Sequence, residues 1–173
     1  IQLGIFDDHP IIADGIAGYV AKFPQEISIA FIAHTKEEVL SKLNEQFPDV
    51  LVLDVVAPDV NGLDLFIDIL KLNPAAKLIA YTSLKSVVLV ENLLSIGVKG
   101  YVSKTQLPDD LLEAIKDVSY GLVSVPQKYT FLTSKFREPQ NKALTKREFE
   151  ILHFIAKELT TQEIADKLLV SPK

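Results

Sequence analysis

Apolar residues along the first 120 positions gather into short dense runs, Leu3 to Phe6, Val50 to Leu53, Leu78 to Tyr81 and Val98 to Val102, with longer stretches of helical spacing between them. Strand-length runs that alternate with helix-length stretches predict βαβ units and a parallel sheet. The expected strands lie near 2–6, 27–33, 50–54, 78–82 and 99–103, and the expected helices near 10–23, 36–46, 63–73, 86–96 and 108–120. The third helix should stop before Asn73-Pro74, where ring geometry forbids continuation, and the fourth before Gly97, a left-handed cap. Five βα units thus make an α/β domain over 1–120.

From Gly121 to Ala143 the periodicity dissolves into a stretch with Pro126, Pro139 and scattered polar residues, read as a linker over 121–143. Its Tyr129, Phe131 and Phe136 are expected to lie against a domain surface, since a solvated linker seldom carries three aromatics. Beyond it, Thr145-Lys146-Arg147-Glu148 and Thr160-Thr161-Gln162-Glu163 are capping boxes, and Ser171-Pro172 reads as an N-cap with Pro at the first helical position. Phe149, Leu152, Ile155 and Leu159 form one helical stripe, and Ile164, Ala165 and Leu168 a second. Two short helices with a third about to begin describe a small all-α helix-turn-helix domain over 144–173, whose last helix would enter a DNA major groove. An ordinary helical hairpin packed on the first domain is the plainer alternative.

Charge sharpens that division. The chain of 173 residues carries a net −5, but residues 1–120 hold nine Lys against seventeen acids, while 121–173 hold nine Lys and Arg against six acids. An acidic unit precedes a basic one, a weak pointer to nucleic acid for the second. There is no Cys, which excludes disulfides and thiolate metal sites and fits a reducing cytosol. No apolar run reaches the ~20 residues a membrane-spanning helix needs, and no charged leader precedes the first strand, so a cytoplasmic protein without membrane association is expected. Because Met is absent even from position 1, the chain is read as a fragment trimmed where the first strand begins.

Asp7, Asp8, Asp54, Thr82 and Lys104 each stand where an expected strand runs out. In an open parallel sheet ligands collect at the carboxyl ends of the strands, so these five can share one pocket. Three carboxylates in one place repel one another, and the usual resolution is a divalent cation with oxygen ligands, most often Mg²⁺. Asp7 and Asp8 would supply or orient metal ligands, leaving Asp54 to attack a phosphoryl group as a carboxylate nucleophile. Thr82 could donate its hydroxyl to one phosphoryl oxygen and Lys104 could pair with another. Singly, each would read as a solvated loop group or, for Asp7 and Asp8, a helix N-cap before Pro10. Their joint placement, with the Gly-containing loop Pro58-Asp59-Val60-Asn61-Gly62 after Asp54, argues for a site.

Phe6-Asp7-Asp8-His9-Pro10, Leu53-Asp54-Val55-Val56-Ala57-Pro58-Asp59-Val60-Asn61-Gly62, Tyr81-Thr82-Ser83 and Gly100-Tyr101-Val102-Ser103-Lys104 resemble the signature of response-regulator receiver domains over about the first 120 residues. The resemblance implies a doubly wound, flavodoxin-like (βα)5 fold. It also implies Asp54 as phosphoacceptor, Asp8 as principal metal-binding acid with Asp7 beside it, and the Val56 carbonyl as a further ligand to Mg²⁺. Tyr101 matches the aromatic switch residue that turns inward as Thr82 moves toward the phosphoryl group; a Tyr merely covering the sheet edge is the alternative. Ala57 departs from the Met common before Pro58. Val56 and Leu84 occupy positions where receivers vary the lifetime of the acyl phosphate, and both are apolar here.

Leu144 to Leu152, Thr161-Gln162-Glu163-Ile164-Ala165 and Val170-Ser171-Pro172-Lys173 resemble the LuxR-type DNA-binding domain, and the two units together resemble the NarL/FixJ class of transcription regulators. Glu158 replaces the Gly common at the first turn. Lys146, Thr161 and Lys173 are candidate phosphate contacts, and the base-reading residues are expected beyond Lys173. The implied function is a two-component response regulator in which a histidine kinase phosphorylates Asp54 and thereby controls dimerisation, binding to double-stranded DNA and transcription. Its only catalysis would be assistance to its own phosphorylation and dephosphorylation. Val87 to Val90 nearly circle a helix axis at about 3.6 residues per turn, so at least one should face outward, and this face or the linker would offer a homodimer contact; core packing against an adjacent element is the commoner explanation of an apolar turn. The alternatives are a phosphorylation-independent DNA-binding regulator and an aspartyl-phosphate phosphohydrolase, the latter disfavoured because its nucleophile ordinarily ends strand 1 in an Asp-x-Asp pattern.

Overall fold

The computed structural model describes residues 1–58, 63–134, 151, 154 and 161–167. Five strands, β1 (Gln2–Phe6), β2 (Ser28–Ala33), β3 (Val50–Asp54), β4 (Leu78–Thr82) and β5 (Gly100–Ser103), form one parallel sheet in the order β2-β1-β3-β4-β5. Between and after them run α1 (Pro10–Val20), α2 (Lys36–Glu45), α3 (Asp64–Leu72), α4 (Val87–Ser95) and α5 (Pro108–Ser119).

Alternation along the strands explains why both faces of the sheet are covered, because successive side chains point to opposite faces. Leu51 and Leu53 of β3 join Leu78 and Ala80 of β4 in a core roofed by α2, α3 and α4, through Val39, Phe66 and Leu93 among others. Val50 and Val52 of β3 join Leu3, Ile5, Ile79 and Val102 in a second core roofed by α1 and α5, through Ile16, Leu112 and Ile115 among others. The doubly wound α/β expectation therefore holds.

Helix boundaries reflect local chemistry. Thr35 and Ser86 cap α2 and α4 by accepting from the amides of Glu38 and Leu89. Pro10 and Pro108 open α1 and α5. His9, not an aspartate, is the N-cap of α1. Asn73 leaves α3 in an extended conformation, as the residue before Pro74 must, and Gly97 comes after α4 at φ 104°.

The segment after α5 is more ordered than its sequence pattern suggests. Ser124 forms a parallel bridge to Gly100 on the open edge of β5, and beyond it come a 3₁₀ turn (Gln127–Tyr129) and the four-residue α6 (Thr130–Thr133). Tyr129 is 3% exposed, as expected for an aromatic lying on a surface, but Phe131 is 55% exposed and corrects that expectation. Its place in a four-residue helix lets Leu132 turn inward and leaves Phe131 outside. Of the second unit, α7 (Thr161–Lys167) is described, with Ile164 buried. Phe136, Glu158, the Thr145 capping box and residues 59–62 of the loop after Asp54 lie outside the described residues. No helix among the described residues is long and apolar enough to cross a membrane.

Candidate functional site

Sheet order reverses between β1 and β3, the switch point at which a parallel sheet opens a crevice beyond its strand ends. Register sets the contents of that crevice. Phe6 pairs with Leu53, Asp54 with Tyr81, and Thr82 with Ser103, so Asp7, Asp54, Thr82 and Lys104 emerge at one level from four adjacent strands. The structure thus brings together four of the five residues picked out from the sequence, and Asp8, next to Asp7, joins them with a carboxylate oxygen within 4.8 Å of those of Asp7 and Asp54.

Asp7 and Asp54 are almost completely buried, at 1% and 3% exposure. Lys104 Nζ lies 2.6 Å from Asp7 Oδ2 and 2.8 Å from Asp54 Oδ2, bridging the two carboxylates. Asp54 Oδ1 accepts from the Val56 amide at 3.0 Å, and Asp7 Oδ1 accepts from the His9 amide at 3.0 Å. Burial raises the Asp54 carboxyl above its ordinary value, against the opposing pull of the Lys104 ammonium and the Val56 amide, with Asp7 adding to the rise. Burial would lower Lys104, but Asp54 and Asp7 together outweigh it and hold the ammonium above its usual value. The site therefore carries a cation whose charge is favoured and a buried carboxylate whose charge is costly.

Thr82 is fully buried, and its Oγ1 accepts from the Leu84 amide at 3.3 Å. Tyr101 is buried with its ring inward, and its hydroxyl donates to the Leu84 carbonyl. Burial, with Tyr129 alongside, pushes the Tyr101 phenol far above its ordinary value, so it stays a donor at any physiological pH. The Tyr101 side chain is thus directed inward, between the Leu84 carbonyl and the Tyr129 ring.

Two histidines at the site had no role in the sequence reading. His9 Nδ1 is 2.9 Å from Asp8 Oδ1 and 3.4 Å from Asp7 Oδ1. His34, the first residue past β2, places Nδ1 2.9 Å from the Asp7 carbonyl. A carbonyl only accepts, so that nitrogen carries the hydrogen. The same signal that marked the aspartates, a polar residue just past a strand end, would have found His34.

Donor chemistry fits a hard divalent cation. Asp7, Asp8, His9 and Asp54 each offer a ligand atom, all within 4.8 Å of one another. Asp7 Oδ2 and Asp8 Oδ1 are buried yet accept no well-directed hydrogen bond; their close neighbours are the Lys104 ammonium and the His9 ring. Three carboxylates with oxygen valences to spare suit Mg²⁺, and the imidazole nitrogen of His9 does not.

Residues 3–116 match the family model described as a response regulator receiver domain. The chain belongs to the response-regulator family. Residues 142–173 of this regulator match the model of bacterial regulatory proteins of the luxR family. It is 31% identical to the oxygen regulatory protein NreC of Staphylococcus aureus over 185 residues, covering 100% of this chain and 85% of that protein. It is 28% identical to the transcriptional regulatory protein LnrK of Bacillus subtilis, covering 99% and 84% respectively. Among solved structures it resembles the RcsB response regulator of Salmonella typhimurium, with a TM-score of 0.71 at 25% identity over 99% of this chain and 85% of that one. A receiver joined to a LuxR-type domain makes the regulator a transcriptional one. Thr161 opens α7, and the candidate phosphate contacts Lys146 and Lys173 lie outside the described residues.

Proposed function

We propose that the regulator takes a phosphoryl group on Asp54 from a histidine kinase, or from a small acyl phosphate, and converts that event into dimerisation and altered binding to double-stranded DNA. The observation that carries this reading is the buried Asp54 carboxylate beside a bridging lysine and the carboxylates of Asp7 and Asp8 at the sheet's switch point. Asp7, Asp8 and Asp54, with the Val56 carbonyl, would hold Mg²⁺, which when bound offsets the negative charge of the transferring oxygens.

Asp54 Oδ attacks phosphorus while the phosphorus–nitrogen bond of the donor phosphohistidine breaks, and the product is an acyl phosphate. Lys104 gives up one carboxylate partner and pairs with a phosphoryl oxygen. Thr82 Oγ1, which accepts from Leu84, retains a hydrogen to donate to the new group. Val56 and Leu84, both packed against the core, restrict the approach of hydrolytic water, so the phosphoryl state is long-lived; rapid autodephosphorylation of the purified phosphoprotein would rule this out. The domain boundaries proposed are a receiver over 1–120, a connecting segment over 121–143 and a LuxR-type DNA-binding unit over 144–173, acting in the cytoplasm. Lys146, Thr161 and Lys173 are its proposed phosphate contacts on DNA.

Intact-mass analysis after incubation with acetyl phosphate and Mg²⁺ tests the chemistry. One phosphoryl group should be added to the native chain and none to Asp54→Ala. An unmodified native chain, or an adduct that survives Asp54→Ala, would refute the assignment.

A further inference from the structure

The segment after α5 covers the open edge of the sheet beside Tyr101. On that edge the Tyr101 amide donates to the Ser124 carbonyl at 2.9 Å, and the Ser124 amide donates to the Lys99 carbonyl at 2.9 Å. These are the first two rungs of a sixth parallel strand. The ladder then stops for a covalent reason. Its next donor would be the amide of residue 126, which is Pro126 and has none. The Ser103 amide, which the subsequent rung would have used, is taken by Gln106 Oε1 at 2.9 Å. Two backbone bonds alone thus hold the segment as a strand, and further anchorage has to come from side chains.

Tyr129 supplies it. Its ring meets that of Tyr101 edge to face with centroids 5.5 Å apart, and Tyr129 and Leu132 are buried in the same core cluster as Tyr101. An aromatic pair in this geometry contributes beyond its buried area. On its other side Tyr101 is fixed by its hydroxyl on the Leu84 carbonyl, and the Leu84 amide is bonded to Thr82 Oγ1. A continuous set of contacts therefore runs from the Thr82 hydroxyl, on the strand beside that of Asp54, through Leu84 and Tyr101, to Tyr129.

We propose that residues 124–132 are a latch on the β5 edge whose closure is coupled to the state of Asp54 through the Tyr101–Tyr129 ring pair. The inference rests on Asp54 being the phosphoacceptor. A phosphoryl group that recruits Thr82 displaces Leu84, moves the anchor of the Tyr101 hydroxyl and alters the ring contact that keeps the segment docked. The segment leads toward the residues that match the luxR family, so its docking is where the receiver's state becomes available to the rest of the chain.

The test is amide hydrogen exchange by NMR on the full chain, before and after acetyl phosphate with Mg²⁺, with phosphoryl uptake verified by intact mass. The Tyr101 and Ser124 amides should change exchange rate at least threefold on phosphorylation. In unphosphorylated Tyr129→Ala the same two amides should exchange faster than in the native chain, and the phosphorylation-dependent change should vanish although the mass shift remains. Tyr129→Phe, which keeps the ring, should retain it. Unchanged exchange in a verified phosphoprotein, or a change that survives Tyr129→Ala, would overturn the coupling. Absence of phosphoryl uptake in the native chain would instead refute the Asp54 assignment, and the coupling with it.

Discussion

At Asp54 burial and charge pull in opposite directions, and burial wins: the carboxyl is held above its ordinary value despite an ammonium 2.8 Å away. A carboxyl whose folded-state value is raised contributes stability below the ordinary carboxylate range and loses it as pH rises through the folded-state value. Without metal, Asp54→Asn should therefore stabilise the protein at neutral pH by on the order of 1 kcal/mol, since Lys104 keeps Asp7 as partner. Urea unfolding in EDTA, measured from the carboxylate range upward, should show native and variant diverging as pH rises; parallel curves would contradict the account. Removing the cation has the opposite sign. Lys104→Met leaves two buried carboxylates facing each other and should cost about 3 kcal/mol in EDTA, with much of the loss recovered on adding Mg²⁺. A Mg²⁺-independent loss would mean that Lys104 serves packing rather than charge.

Strands and helices respond to the same substitution with opposite signs, depending on what lies beside them. At Gly100 in β5 an added Cβ would sit 2.7 Å from Ile79 Cγ1 and 3.2 Å from its Cβ and Cγ2. Ile79 is fully buried and branched at Cβ, so it cannot swing away. Gly100→Ala should cost about 1–3 kcal/mol. At Gly15 in α1 a Cβ would meet nothing within 4 Å, and Gly15→Ala should gain about 0.5–1 kcal/mol of helix propensity. Thermal unfolding of both variants decides the matter, and equal shifts would contradict it. Elements of this kind were legible in the sequence wherever hydrophobic period and backbone structure coincide: β1, β3 and β4 match their expected limits to the residue. They part company at the end of α1, expected to reach 23. Phe23 still packs on the core and so extends the apolar pattern, but its amide bonds Val20 within a turn, and the helix is already over. After α5 the failure is the reverse. A single bridge at Ser124 and a four-residue helix are too short to show any period, although Tyr129 and Leu132 are core residues.

For the whole molecule, the site was readable because parallel topology turns strand ends into neighbours, so five polar residues spread over about 100 positions could be placed together without coordinates. His34 carried the same positional signal, one residue past β2, but its partner is a backbone carbonyl, so no complementary side chain in the sequence pointed to its role. Output is a different matter, since a phosphoryl group can shift an equilibrium only by interacting differently with two states. Self-association is one such equilibrium. Val87 and Val88 at the start of α4 are 46% and 47% exposed while Leu89 and Val90 are fully buried, so the apolar turn does present two side chains to solvent. They come directly after Ser86, two residues beyond Leu84, whose amide is tied to Thr82, so a rearrangement at Thr82 would pass to this surface along a short stretch of chain. Sedimentation velocity of the native chain with acetyl phosphate and Mg²⁺ should show a shift from monomer toward dimer. Val88→Asp should leave phosphoryl uptake and thermal stability nearly unchanged, because the position is half exposed, yet weaken the dimer at least tenfold, about 1.4 kcal/mol. A dimer that forms equally well with Val88→Asp would move the contact to another face of the receiver, and a phosphorylated chain that stays monomeric at all concentrations would remove self-association from the mechanism.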